Sequence, residues 1–215
     1  MTAVPQTGAP GLSGKGASRG RCAALAIAAA IVFALGLAGC IGCAAGAGRP
    51  AVVILLRHAE KPGNEADAML SDRGEARAQA LVGFFTNAPA RLDLGSPAAL
   101  YACRVSKAGR GRRPRDTLLP LAGTLGLHIR TPYRAEDYES LASTVLRDES
   151  LEGKTVVICW THSELPSLAR ALGIKPPVDP WKNRVYDRVW IIRYGGAEPR
   201  VEDVPQRLLP GDSTR

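Results

Sequence analysis

Two aliphatic runs constrain this 215-residue chain more than anything else in it: AVVILL at 51–56 and TVVICW at 155–160. Each has the length of a strand, and an unbroken apolar run of that length is the pattern of a parallel strand covered on both faces. Each also ends abruptly in polar chemistry. Arg57, His58, Glu60 and Lys61 follow the first run, and His162 follows the second. Charged side chains are seldom buried without partners, so both runs must emerge from a core into a polar site or into solvent.

The segments between them alternate helix and strand. Ser71 can cap a helix beginning at Asp72, with Ala76, Ala80, Leu81, Phe84 and Phe85 as its apolar stripe. Residues 98–103 read as a second strand, 117–125 as a helix stopped by Gly126, and 138–146 as another helix. Residues 165–172 read as a helix stopping at Gly173, and 185–194 as a closing strand. The predicted class is α/β: a three-layer sandwich with a mostly parallel central sheet and helices on both faces. In such sheets sites form beyond the carboxyl ends of the strands, where Arg57-His58 and His162 both fall. With 46% hydrophobic residues the chain can build one core, placed at residues 51–200, with 201–215 read as a polar tail.

The first fifty residues differ in character. A small, polar, flexible stretch precedes CAALAIAAAIVFALGLAGC, an apolar run without charge. It resembles a bacterial signal peptide, and Leu37-Ala38-Gly39-Cys40 is similar to a lipobox, which implies lipidation of Cys40 and an exported, membrane-associated protein. An uncleaved membrane anchor and a start assigned too far upstream are the alternatives; residues 23–38 fall just short of the roughly 20 apolar residues that span a bilayer. Cys40 and Cys43 have CxxC spacing, but no second pair completes a zinc site. Cys103 and Cys159 close apolar runs and read as small buried hydrophobes. The formal charge of +8 falls to a mild excess without this segment, which fits an anionic small substrate or a membrane surface. No aromatic interleaving favours nucleic acid.

Three histidines exist. His128, after Gly126, reads as structural. His58 and His162 would share one rim of an aligned sheet. A zinc pair lacks a third ligand at usual spacing, and Arg57 would repel a cation, so an anion site is expected.

Arg57-His58-Ala59-Glu60 resembles the Arg-His-Gly signature of the histidine phosphatase superfamily, the phosphoglycerate mutase-like proteins, with alanine after the histidine. Leu70-Ser71-Asp72-Arg73-Gly74 with Ala78, Ala80 and Leu81 is similar to the family's first helix, and Leu100 to Cys103 to its second strand. Arg113-Pro114-Arg115-Asp116-Thr117 with Pro120-Leu121-Ala122 resembles the segment carrying its second arginine, and Val156 to His162 the strand leading to its second histidine. The resemblance runs from about Val52 to Tyr194. It implies a phosphoglycerate mutase-like fold and a phosphatase acting on a small phosphorylated substrate, without metal or other cofactor. His58 would attack phosphorus and form a phosphohistidine, Arg57 and Arg113 would each clamp two phosphate oxygens, and His162 would be a third donor.

The segment RVSKAGRGR at 104–112 is longer and more basic than the usual family link, so the second arginine is placed by the Arg-x-x-x-Thr spacing to Thr117. Arg112, Arg115 or Lys107 can share or take its role. For the proton donor, His162 is followed by Ser163-Glu164 where one branch of the family has His-Asp; the other branch places a glutamate after the second arginine, which points to Glu136. Glu60 is read as holding a neighbouring arginine. A phosphate-binding module without turnover and a phosphomutase are the competing functions.

Overall fold

In the computed structural model, which describes residues 48–63, 68–87, 92–107, 109 and 111–213, the two aliphatic runs lie side by side. Strand β1 (Val52–Arg57) pairs in parallel with β4 (Thr155–Trp160), Val52 opposite Thr155 and Arg57 opposite Trp160. Around them the sheet has the order β3-β2-β4-β1-β5-β6, with β2 at Pro97–Ala102, β3 at Ile129–Arg130, β5 at Arg188–Arg193 and β6 at Arg200–Pro205. β1, β2, β3 and β4 are mutually parallel; β5 and β6 are antiparallel additions. The α/β class with a mostly parallel sheet is as the sequence predicts.

Strand periodicity explains why both faces are covered. Val53 and Leu55 of β1, with Val156, Ile158 and Trp160 of β4, face one core; Val52, Ile54 and Leu56, with Val157 and Cys159, face the other. The first core is closed by helices α3 (Tyr138–Arg147) and α4 (Leu165–Ala171), the second by α1 (Asp72–Asn87) and α2 (Arg112–Leu125). Cys103 and Cys159 are buried thiols, and burial pushes Cys103 up to about 12, so they act as small apolar residues.

The Ser71 hydroxyl accepts from the Gly74 N–H at 3.2 Å, the predicted cap of α1. Gly126 ends α2 in the left-handed region at φ 64°. Three expectations need correction. Residues 201–215 are not simply a tail: β6 extends the sheet, with Val201 packed on one core and Val204 on the other. The buried stripe of α1 is Gly74, Arg77, Ala78, Leu81, Phe84 and Phe85, while Ala76 is exposed, because Arg77 finds buried carboxylates as partners. Helix α2 begins at Arg112, five residues before the predicted start, so Arg113 is helical.

Cys40, Cys43 and the apolar run before them lie outside the described residues. Among the described residues no helix is long and apolar enough to cross a membrane.

Candidate active site

The parallel register of β1 and β4 puts the residues after both strands on one rim. The His58 N–H donates to the Trp160 carbonyl at 3.1 Å, which levels His58 with Thr161. The His58 ring is buried, and its Nδ1 lies 2.7 Å from the Ala59 carbonyl. A carbonyl only accepts, so Nδ1 carries the proton and Nε2 keeps its lone pair. Burial, which the Ala59 bond opposes and the charges of Arg57, Arg113 and His162 reinforce, lowers the imidazole to about 3. At neutral pH His58 is an uncharged ring with one nucleophilic nitrogen.

His58 and Thr161 line a cleft of about 470 Å³. Among the described residues its walls carry four arginines, Arg104, Arg112, Arg113 and Arg134, and one carboxylate, Glu136. The predicted pair of His58 and Arg113 is therefore brought together, with Glu136 in the same cleft. Arg113 projects from the first turn of α2, where its Nε donates to the Met69 carbonyl at 3.0 Å. Thr117, one helical turn on, donates to the Arg113 carbonyl at 2.8 Å and accepts from the Ala59 N–H at 2.9 Å. One buried hydroxyl thus ties the arginine's helix to the histidine's loop, and this is the physical content of the Arg-x-x-x-Thr spacing. Arg112 and Arg115 both pair with Asp116, at 2.9 and 3.1 Å, and Arg115 is outside the cleft. Lys107 is exposed and is not among the cleft's walls.

Arg57 is placed differently from the expected two-oxygen clamp. It is 1% exposed and does not line the cleft. Its NH1 donates to the carbonyls of Lys182, Asn183 and Val185, the shortest at 2.6 Å, and its NH2 to the Asn183 side chain at 3.3 Å. The Tyr186 ring covers the guanidinium at 3.8 Å. Of the guanidinium nitrogens, Nε is buried and has no hydrogen-bond partner among the described residues. Burial lowers Arg57 to about 10 against the opposing influence of Tyr186 and Glu60, and it stays cationic at neutral pH. His162 is half-buried, close enough for its charge to bear on His58, but it too is outside the cleft's walls. Glu136 stands at the cleft's mouth, 69% exposed, with Arg134 3.9 Å away.

Glu60 holds arginines, as read. Its carboxylate accepts from Arg77 Nε at 2.9 Å and NH2 at 2.8 Å, and from Arg73 Nε at 3.2 Å. Arg77, 2% exposed, also reaches Asp212 at 2.7 Å and the Gln206 side chain at 3.0 Å. Burial raises the Asp212 carboxyl, but the bonds from Arg77 and from the Leu209 and Leu208 N–H groups outweigh it and bring it to about 2. This network braces the loop that carries His58 from behind. In sequence Arg77 looks like a helix surface residue and Asp212 part of a tail, and only their burial reveals the role. Gly74 completes the brace, because a Cβ there would meet the Glu60 carbonyl oxygen at 2.3 Å.

No family model matches the chain, and no curated protein matches it. Among solved structures it is similar to the "putative phosphohistidine phosphatase SixA from Agrobacterium tumefaciens", at 17% identity and a TM-score of 0.45, covering 72% of this chain and 98% of that one.

Proposed function

We propose that the chain is a phosphatase that hydrolyses a small phosphoryl compound through a phosphohistidine on His58. The observation that carries this reading is a buried neutral imidazole, its Nδ1–H anchored on the Ala59 carbonyl, in the wall of a cleft otherwise dominated by arginine. In the first step Nε2 forms a bond to phosphorus while the ester P–O bond breaks, and the leaving oxygen departs with a proton from a donor or from water. The ring becomes cationic in that step, and the Ala59 carbonyl stabilises the charge through Nδ1–H. Arg113 neutralises charge on the phosphoryl oxygens, and Arg57 Nε and His162 are the further donors of the reading. Water then attacks phosphorus, the N–P bond breaks, and His58 returns to its neutral form.

The direct test is to mix the protein with a slow phosphoryl donor, quench it, and map the acid-labile phosphate. Label on His58 supports the covalent route. Turnover with label on no histidine would overturn it, and phosphate binding with no turnover would favour the binding module.

Register along α2 gives a second expected result. Arg113→Ala should lower kcat by on the order of 10², the effect of losing a donor aimed at transition-state charge. Arg115→Ala should change it little, because Arg115 pairs with Asp116 outside the cleft. Steady-state kinetics on both variants check the order, and a reversed order would move the phosphate to the other arginine.

Glu136 is the proposed acid. Such a group matters for a poor leaving oxygen and hardly at all for a nitrophenolate, so Glu136→Gln should slow an alkyl phosphate by roughly 10² or more while sparing an aryl phosphate. Equal loss on the two substrates would instead indicate binding, and no loss on either would leave Glu136 as an exposed bystander.

A further inference from the structure

A second cavity, of about 200 Å³, shares no wall residue with the arginine-lined cleft among the described residues. It lies against the 182–185 segment whose carbonyls hold Arg57. The Val185 carbonyl serves both sides, accepting from the Trp181 indole N–H at 2.9 Å and from Arg57 NH1 at 3.3 Å. The carbon surface of the cavity comes from Trp181, Trp190, Val178 and Val185. The two indoles are buried and pack with ring centroids 4.6 Å apart, tilted by 49°. Val178, 42% exposed, leaves apolar surface open to solvent beside them.

Trp190 carries the feature that points to an occupant. The chain's other two tryptophans each donate their indole N–H to a backbone carbonyl at 2.9 Å, Trp160 to Ala135 and Trp181 to Val185. The Trp190 N–H is buried and has no acceptor among the described residues. A buried donor left unmatched costs free energy that an incoming acceptor recovers. Charge decides which acceptor. Arg188 and Asp203 in the wall offset each other, Nε donating to Oδ1 at 2.8 Å. Lys182 is exposed there, and none of the described carboxylates pairs with it. The cavity therefore offers aromatic and aliphatic surface, one open N–H and one surplus positive charge.

We propose that this cavity binds a small aromatic carboxylate, its ring against the Trp181 and Trp190 pair and its carboxylate toward Trp190 Nε1 and Lys182. The volume suits one ring with a short acidic arm. No step proposed for His58 uses this cavity, so the site stands or falls apart from the phosphatase reading.

The test is a titration of the isotope-labelled full chain with phenylacetate, followed by NMR through the three indole N–H resonances, assigned by single substitution to phenylalanine. The Trp190 and Trp181 signals should move together and saturate with a Kd on the order of 1 mM, the affinity of a ligand this small. The Trp160 signal should stay in place. Its acceptor, Ala135, lines the arginine cleft, so movement of Trp160 without the other two would put the carboxylate among the arginines and overturn the proposal. Phenylacetamide keeps the ring without the charge and should bind about 2- to 5-fold more weakly. In Lys182→Gln that difference should vanish; its full retention overturns the part assigned to Lys182. Acetate should leave Trp181 and Trp190 unmoved, and equal shifts with acetate would reduce the effect to ionic strength. Val178→Glu sets a bulky negative charge at an exposed position and should abolish the shifts. Unchanged binding in that variant, or no shift in the wild type at about ten times the expected Kd, overturns the site.

Discussion

Replacing His58 by alanine is expected to lower kcat by roughly 10⁴ or more, the scale of losing a covalent nucleophile, the role proposed for it above. The fold should survive, because the imidazole is uncharged and, among the described residues, its side-chain hydrogen bond is to the adjacent Ala59 carbonyl. Burial of the neutral ring even predicts a gain in acid resistance. The unfolded chain binds a proton at this residue below about 6.5 while the folded one does so only below about 3, so the wild-type protein loses stability between those values as pH falls. His58→Ala removes that loss. Parallel assays of turnover and of urea midpoint at pH 7.5 and pH 4.5 check both halves. Undiminished turnover would sink the covalent mechanism, and a collapsed midpoint at pH 7.5 would show the ring to be structural.

Arg77→Met is expected to cost about 3–5 kcal/mol at neutral pH, the range for removing one partner of a buried ion pair. Methionine fills the volume but leaves the carboxylates of Glu60 and Asp212 facing each other's charge, Asp212 with 3% of its side chain exposed. The sign of the pH dependence separates this from a packing defect. In the wild type the lowered Asp212 contributes stability above about pH 4 that is lost as pH falls towards 2. In the variant Asp212 keeps the half-exposed Arg73 at 3.3 Å and the Leu208 and Leu209 N–H groups but loses its closest cation, so its carboxyl is held down less and the deficit should narrow as pH falls. Chemical denaturation of both proteins across that range is the measurement, and a deficit constant with pH would assign the loss to shape. Asp212→Asn in the Arg77→Met background should recover part of it.

The strands that build the site were legible because parallel strands covered on both faces leave no polar interruption, and AVVILL and TVVICW have none. The antiparallel β6 escaped notice for the opposite reason. RVEDVP lies at the sheet's edge, paired on one side only, and its mixed composition reads like solvent-exposed chain. Helix α2 was read five residues short because its first turn, beginning Arg-Arg-Pro-Arg, shows no apolar repeat until Thr117 and Leu118 are buried. The pairing of His58 with Arg113 in one cleft followed from motif and spacing. The capture of Arg57 by the 182–185 carbonyls did not, since backbone acceptors more than 120 positions away carry no side-chain signature.

The Thr117 hydroxyl, bonded to Arg113 and Ala59 from inside α2, makes the chain a natural candidate for loop grafting. Arg113 is positioned from the helix side, so foreign segments replacing residues 105–110 would change what enters the cleft without resetting the distance between His58 and Arg113. One splice rule comes with it. The graft must end in the native Gly111, at φ 84°, because any Cβ there would meet the Arg104 carbonyl oxygen at 2.4 Å. A library built on that rule would vary what the cleft admits on a fixed His58–Arg113 frame, and Thr117→Val, which keeps the shape and loses both bonds, would be the variant in which the frame comes loose.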